Sequence, residues 1–268
     1  MRFNFDHLVH FTGSPEEAKD ALSELGLHVV DGGKHENGGT YNTLSYFDLS
    51  YIELIGLFDR SLAETPAEKY SLRDTFQKDH FANGLSRIAL RSQNLEEEAK
   101  RFKSLGLEVY GPTPLSRKRP DGSVVSWKLL FAGNADDELE LPFFIQWDES
   151  DEERRKDLKA QQTIAEHQRG YLTLAAVGFA VENAEKTVEK WAAYLDLEKG
   201  ESFTDESLNA TGYELKLAGG DLVFYSPNGE GIVSETLAKR GEKPFIVDFS
   251  GGNQKEQFEV KNAIYRFV

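Results

Sequence analysis

The chain has 268 residues, 39% of them hydrophobic, with no cysteine and a formal net charge of −15. This composition is typical of a folded protein, excludes disulfides and thiolate sites, and argues against nucleic acid or an anionic membrane surface as a partner. No segment resembles a signal peptide or reaches the length of a membrane span, so we expect a cytoplasmic protein.

The first predicted unit covers residues 2–58 and has the order β-α-β-β-β. Its helix begins after Ser14, a favourable N-cap residue, and Pro15 takes the first helical position. Glu17 follows three residues after the cap, as in a capping box. A β-prone stretch precedes the helix, and three further strands are predicted over residues 28–31, 41–48 and 51–58.

The same local sequence recurs further along the chain. Asn94 and Asn183 stand where Ser14 stands, each after a short apolar run and before a helical and then a β-rich stretch. The second unit covers residues 84–148 and the third covers residues 171–227. The repeat predicts an α+β fold of repeated β-α-β-β-β modules, with a site in the concavity that paired modules enclose.

A fourth module is predicted at the end of the chain, with a strand over residues 245–250 and another over 258–268. Its helix is lost or reduced to a short segment between them. Residues 148–168 are highly charged, which predicts a surface linker or an exposed helix. This segment is the best candidate for a domain boundary. We therefore expect two domains, residues 1–150 and 169–268.

His7 and Glu53 are the first candidate pair for chemistry. Strand alternation places both on the face opposite the helix, where they suit a metal site or an acid–base pair. The alternative is that they simply satisfy each other in the core. Alignment of the modules puts Arg87 opposite His7 and Phe144 opposite Glu53, which leaves a symmetric metal site incomplete and sets Arg87 to repel a cation.

His35, Thr40 and Asn42 form a second candidate group. Gly38 and Gly39 bring the backbone close to another group, and Thr40 and Asn42 alternate onto one face as the strand begins. These residues are predicted to contact a substrate, and an ordinary glycine-rich turn is the alternative.

Arg117, Arg119 and Trp127 belong to a predicted hairpin and suit a planar anion such as a carboxylate. A solvated hairpin whose tryptophan packs in the core is the alternative. Gln146 shares a strand face with Phe144, and both are predicted to line the cavity.

The chain resembles the vicinal oxygen chelate superfamily and, within it, the glyoxalase-like domain family. The resemblance rests on residues 5–9, 35–42, 51–54, 117–127 and 142–147, and it covers roughly residues 4–150. It implies that the modules pair into cupped, incomplete mixed β-barrels. In metal-using relatives the ligands come from the first and last strands of paired modules, which puts His7 and Glu53 at metal positions and makes His35 a candidate third ligand.

The resemblance implies two alternative functions. The first is a divalent-metal-dependent lyase or isomerase, in preference to a dioxygenase, acting on a small carbonyl or hydroxy compound. Here Zn, Ni, Mn or Fe would be held by His7 and Glu53, which are also the catalytic candidates, and Arg117 would hold a substrate carboxylate. The second is a metal-free protein of the bleomycin-resistance type that binds a small molecule between walls such as Trp127 and Phe144. In both cases we expect a monomer or homodimer.

Overall fold

The computed structural model of the chain describes residues 2–118, 122, 124–252 and 255–268. The strands of the first half are β1 (Asn4–Phe11), β2 (Val30–His35), β3 (Thr40–Phe47), β4 (Ser50–Leu57), β5 (Gly84–Arg91), β6 (Glu108–Lys118), β7 (Val124–Gly133) and β8 (Phe143–Trp147). Its helices are α1 (Pro15–Glu24), α2 (Arg60–Ala63), α3 (Leu72–Lys78) and α4 (Leu95–Ser104), and α5 (Asp151–Ala160) leads to the second half.

The second half repeats this arrangement with fewer helices among the described residues. Its strands are β9 (Thr173–Ala180), β10 (Lys199–Asp205), β11 (Ala210–Leu215), β12 (Asp221–Pro227), β13 (Lys243–Ser250), β14 (Glu256–Val260) and β15 (Ala263–Phe267). Its helices are α6 (Ala184–Leu195) and α7 (Ile232–Arg240). None of the described helices is long and apolar enough to cross a membrane.

The module helices α1, α4 and α6 begin at the predicted caps. Ser14, Asn94 and Asn183 each accept a hydrogen bond from the backbone N–H three residues further on. These bonds satisfy one of the free donors of the first helical turn. The predicted helix starts are therefore confirmed.

Each half forms one mixed sheet built from two modules. The first sheet has the order β2-β3-β4-β1-β5-β8-β7-β6, and the second has the order β10-β11-β12-β9-β13-β15-β14. The first strands of paired modules run antiparallel at each centre, β1 beside β5 and β9 beside β13. Each of these four strands also pairs in parallel with the last strand of its own module. The predicted α+β fold of paired modules is confirmed.

The two faces of the first sheet have different neighbours. Residues such as Leu8, Ile52 and Phe144 belong to the main hydrophobic core, which continues through helices α1, α4 and α6 into the second sheet. Val9 and Ala89 belong to a separate hydrophobic cluster on the other, concave face of the first sheet. We call this concave face the first cup. The main core thus joins the two halves back to back, and the first cup faces away from it.

The concave face of the second sheet is covered by α7. Val233 of this helix is fully buried in a cluster with Ala176, Val223 and Ile246 from the sheet. The first cup is covered in part by α3, which precedes β5 as α7 precedes β13 and buries Phe76 against Phe11. The two halves therefore share a fold, but different side chains cover the two concave faces.

Two expectations about the second half of the chain are corrected. Residues 258–268 form two strands rather than one, with a turn in which Lys261 and Asn262 both have positive φ angles. Residues 148–168 do contain a helix, but α5 is not merely exposed, since Arg154 is 4% exposed and Leu158 packs against the first sheet. Burial of a charged side chain cannot be read from a charge-rich sequence.

Candidate functional site

A buried chain of three polar side chains lies in the first cup. Nδ1 of His7 is 2.7 Å from Oδ1 of Asp6, and Nε2 of His7 is 3.6 Å from Oε2 of Glu53. Because a carboxylate can only accept, the hydrogen bond places a proton on Nδ1 of His7. In the neutral ring Nε2 is therefore an acceptor that faces Glu53. The structure brings together the predicted His7–Glu53 pair and adds Asp6 to it.

Asp6 is fully buried and is bound on both of its carboxylate oxygens. Nε1 of Trp147 donates to Oδ2 at 3.0 Å, while His7 occupies Oδ1. Burial opposes ionisation of Asp6, but the hydrogen bond from His7 and the positive charges of Arg154 and Arg91 outweigh it and lower its pKa. Sequence alternation missed Asp6 because the pairing register of β1 shifts between Phe5 and His7.

Glu53 is held by the predicted Asn42. Nδ2 of Asn42 donates to Oε1 of Glu53, and Oδ1 of Asn42 accepts from the backbone N–H of Gly33 at 2.8 Å. The two bonds fix which way the amide of Asn42 points. Oε2 of Glu53 is left to face His7, so the pair is oriented from both sides.

His35 and Thr40 lie beside this group and contact each other. Nδ1 of His35 is 2.9 Å from Oγ1 of Thr40. Burial lowers the pKa of His35, the charges of Arg117 and His7 act in the same direction, and Glu53 opposes them. His35 therefore lies within electrostatic reach of the Glu53–His7 pair and is neutral near pH 7.

Aromatic rings stack on His7. The His7 ring lies 4.6 Å from that of Tyr51 with nearly parallel planes, and Tyr51 stacks in the same way on Tyr46. Phe143 approaches His7 edge-on at 5.2 Å. Burial raises the pKa of Tyr46 to about 12 and that of Tyr51 well above its usual value, so both phenols are neutral. These rings keep His7 in an apolar, well-defined position.

Phe144 and Gln146 do not line the first cup, and that prediction is wrong. Phe144 packs against Phe102 of α4 in the main core, and Gln146 accepts from the backbone N–H of Leu95. The parallel β5–β8 ladder makes Phe143 the side chain that faces inward. A one-residue error in strand register moves every side chain to the opposite face, which explains both misplacements.

Arg87 is bound within the protein rather than directed at His7. Its Nε donates to the backbone carbonyl of Leu141 at 3.1 Å, and Glu140 lies 4.0 Å from Nη1. Phe143 contacts the His7 ring and also lies 5.8 Å from the Arg87 guanidinium. The charge of Arg87 is thus balanced on the far side of Phe143, so the expected repulsion of a cation is weakened.

The predicted hairpin residues lie near the edges of the first sheet. Arg117 on β6 packs against Gly33 on β2, where an added Cβ atom would collide with its guanidinium. The side chain of Arg117 therefore reaches between the two edge strands of the sheet. Trp127 packs against Trp147 with ring centroids 5.7 Å apart. Arg119 lies outside the described residues.

The described donors make up only part of a metal site. His7 and Glu53 each offer one atom to a shared point, but the equivalent pair in the second module is Arg87 and Phe143. Among the described residues, no three His, Asp or Glu side chains lie close enough to share a cation. His35 does not complete the set, so the protein side chains do not fit a closed metal centre.

The chain is similar to known proteins both in sequence and in structure. The sequence model of the family described as "Glyoxalase-like domain" matches residues 5–195. A hypothetical protein from Staphylococcus aureus has a similar structure, with a TM-score of 0.78 and 25% identity over 99% of both chains. No curated protein sequence is similar enough to this chain to be matched.

A second solved structure is similar in fold alone. It is a variant of 4-hydroxymandelate synthase from Streptomyces coelicolor, with a TM-score of 0.60 and 12% identity. The likeness covers 93% of this chain and 71% of the synthase. Both halves of the chain therefore take part in the shared architecture.

Proposed function

This chain belongs to the glyoxalase-like domain family, and we propose that it is a lyase or isomerase that transfers a proton on a small carbonyl or hydroxy compound. The observation that carries the proposal is the buried Asp6–His7–Glu53 chain. Two proton-transfer groups with a fixed mutual geometry are the arrangement that general acid–base catalysis requires.

Glu53 has the role of base in this proposal. Asn42 holds its Oε1, which leaves Oε2 to take a proton from a carbon next to a carbonyl group. His7 is held at Nδ1 by Asp6, and its Nε2 accepts the proton of a substrate hydroxyl when the ring is neutral or donates a proton to a substrate carbonyl oxygen when the ring is protonated. The apolar rings around His7 limit water and strengthen these interactions.

The metal-dependent form of this reaction remains a prediction. In this form, Nε2 of His7 and Oε2 of Glu53 would bind a divalent cation, and the cation would polarise the substrate carbonyl. A carboxylate behind a metal-binding histidine, as Asp6 lies behind His7, is typical of such sites. Two protein donors would leave the remaining ligands to water and substrate.

Proton exchange in D₂O tests the proposal without knowledge of the product. A panel of small carbonyl and hydroxy compounds is incubated with the protein, and NMR records the loss of C–H signal. For any compound that exchanges, Glu53→Gln should slow the exchange by about a hundredfold or more. Glu36→Gln, in an exposed turn, is the matched control. Unchanged exchange in a folded Glu53→Gln protein would refute the role of Glu53.

Elemental analysis of protein purified without tag or chelator distinguishes the metal-dependent reaction from acid–base catalysis by the side chains alone. Stoichiometric metal that is lost in a His7→Ala/Glu53→Ala double variant would support the metal-dependent form. Exchange that survives chelator treatment in a metal-free sample would support acid–base catalysis by the side chains alone.

A binding or sequestering function is the second candidate. The first cup offers aromatic surface from Trp127, Trp147 and Tyr51 beside polar groups, which is the usual make-up of a small-molecule site. A ligand that raises the melting temperature but shows no proton exchange would favour this function. Metal analysis does not distinguish it from metal-free catalysis, so the exchange experiment decides.

A further inference from the structure

The side chain of Arg117 lies between β2 and β6, the two end strands of the first sheet. In the β6–β7 ladder Arg117 is opposite Val125, which stands two residues before Trp127 on β7. Residues opposite each other in a ladder share a face of the sheet, and so do residues two apart on one strand. Trp127 packs against the hydrophobic cluster of the first cup. Arg117 therefore belongs to the concave face.

A series of contacts leads from Arg117 to Glu53. An added Cβ atom on Gly33 would overlap Nη1 of Arg117, so the guanidinium rests against the backbone of β2. The backbone N–H of Gly33 donates to Oδ1 of Asn42 at 2.8 Å, and Asn42 holds Oε1 of Glu53. Arg117 and Glu53 act on the pKa of His35 in opposite directions. Arg117 therefore lies on the Glu53 side of the first cup, which is the side that the proposed reaction uses.

Arg117 differs from the other described arginines in its bonding. Each of the others has a hydrogen bond or an ion pair within the chain. Among the residues that the structure describes, Arg117 has neither. Its side chain is also partly exposed. The N–H donors of this guanidinium are therefore available to a bound anion.

A positive charge at this point suits an anionic substrate. A carboxylate that acts as a base repels a substrate carboxylate nearby, and the repulsion is strong in a poorly solvated site. Arg117 supplies the opposite charge, and the planar fork of a guanidinium matches a carboxylate with two parallel hydrogen bonds. Arg154 cannot take this role, because its Nη1 faces the buried carboxylate of Asp6 at 3.7 Å.

We propose that Arg117 binds the carboxylate of the substrate, so that the substrate is a small oxo acid or hydroxy acid. This inference rests on the proposed function. The bound carboxylate lies between β2 and β6, and the carbonyl or hydroxyl group of the substrate is directed inward, toward Glu53 and His7. The charge of Arg117 offsets the repulsion between the substrate carboxylate and Glu53.

Matched acids and esters test whether Arg117 recognises charge. The intact chain is titrated at pH 7 with 2-oxobutanoate, with 4-oxopentanoate and with the methyl ester of each. Binding is followed by NMR at the backbone N–H resonance of Gly33, which adjoins the guanidinium. Arg117→Met removes the charge and keeps a long, unbranched side chain. For each acid that the parent binds, we expect this variant to weaken binding by about tenfold to a hundredfold, and binding of the ester by less than about twofold.

Lys128→Met is the matched control. Lys128 lies on the neighbouring strand β7, and its Nζ binds Glu96 of α4 on the other face of the sheet. This variant should bind the acids and the esters as the parent does. If Arg117→Met does not fold, Arg117→Lys, which keeps the charge but not the fork, should show the same selective loss to a smaller extent. Full acid affinity in the lysine variant would contradict the proposal.

Three results with Arg117→Met or with the parent would overturn the inference. Equal weakening of acid and ester would mean that Arg117 acts only through packing. Unchanged affinity for the acids would exclude a contact between Arg117 and the carboxylate. Failure of both acids to bind the parent protein would show that the first cup does not accept an oxo acid.

The proposed function is tested separately by the same preparations. Glu53→Gln should lose proton exchange but bind the acids at least as tightly as the parent, because the repelling charge is gone. Exchange without selective acid binding would refute the role of Arg117 alone. Acid binding without exchange would refute the enzymatic proposal alone.

Discussion

Asp6 connects the packing of the first cup to its chemistry, because one carboxylate holds both His7 and Trp147. Each of its oxygens accepts from a different ring N–H, and the group is fully buried. A neutral residue of the same shape cannot reproduce this bonding. Asparagine has one acceptor oxygen, so its NH₂ group would face one of the two ring donors.

Asp6→Asn should therefore lower the free energy of unfolding by about 2 kcal/mol at pH 7, measured by urea denaturation. The pKa of Asp6 is lowered in the folded protein, so its stabilising effect is complete above about pH 4 and is lost as the pH falls through the folded value. The difference in the free energy of unfolding between the parent and the Asp6→Asn variant should therefore shrink below about pH 4. Asp136→Asn, at an exposed position, is the control. Equal stability of the Asp6→Asn and parent proteins would show that the two hydrogen bonds contribute nothing net.

The two glycines of strand β2 lie against side chains of the candidate site, so this strand helps to position them. A Cβ atom on Gly32 would overlap the side chain of Asn42 and approach its backbone oxygen to 2.9 Å. A Cβ atom on Gly33 would overlap only the flexible end of Arg117. The neighbouring strand thus supports Asn42, and through it Glu53, by coming unusually close.

Gly32→Ala is expected to destabilise the protein by about 1–3 kcal/mol, because Asn42 or the backbone of β3 must move. It should also slow proton exchange, since Asn42 positions Glu53. Thermal unfolding and the D₂O exchange experiment measure the two effects. Gly13→Ala, where the nearest atom is 3.7 Å from the added Cβ, should change neither. An unaffected Gly32→Ala protein would show that β2 does not hold Asn42 closely.

At the scale of the whole molecule, the two halves are joined through buried polar contacts as well as the main core. Nδ1 of His10 on β1 lies 2.7 Å from the hydroxyl of Tyr265 on β15, and both residues are fully buried. Burial lowers the pKa of His10 to about 4. The charge of Arg240 acts in the same direction, and the hydrogen bond that Nε2 of His10 donates to the backbone carbonyl of Lys261 opposes them. The folded protein therefore keeps His10 neutral in a range where the unfolded chain protonates it.

The stabilising effect of a neutral His10 is complete above the ordinary histidine pKa of about 6.5 and is lost as the pH falls toward 4. Between pH 7 and pH 5 this loss amounts to about 2 kcal/mol. His10→Gln should reduce the fall in the free energy of unfolding between pH 7 and pH 5 by about that amount, as measured by urea denaturation at the two pH values. His80→Gln, at an exposed position, should follow the parent. Parallel curves for His10→Gln and the parent would contradict the assignment.

Local signals in the sequence predicted much of this molecule. The caps at Ser14 and Asn94 needed only neighbouring residues, and strand alternation was enough to place His7 and Glu53 on one face. The repeat of the caps also predicted the paired modules.

Contacts between distant segments could not be predicted in the same way. Phe144 was misplaced because its face depends on the β5–β8 register, which no local pattern fixes. Asp6 was missed because β1 has an irregular register beside it. Arg154 was missed because its burial depends on where α5 packs.

The cover that α7 provides has a consequence for the number of ligands each chain can hold. A duplicated architecture suggests two equivalents of ligand, one for each concave face. Val233 and its neighbours in α7 fill the second concave face with hydrocarbon, and Ala176 stands there at the position that matches His7. We therefore expect a ligand of the first cup to saturate at one equivalent per chain.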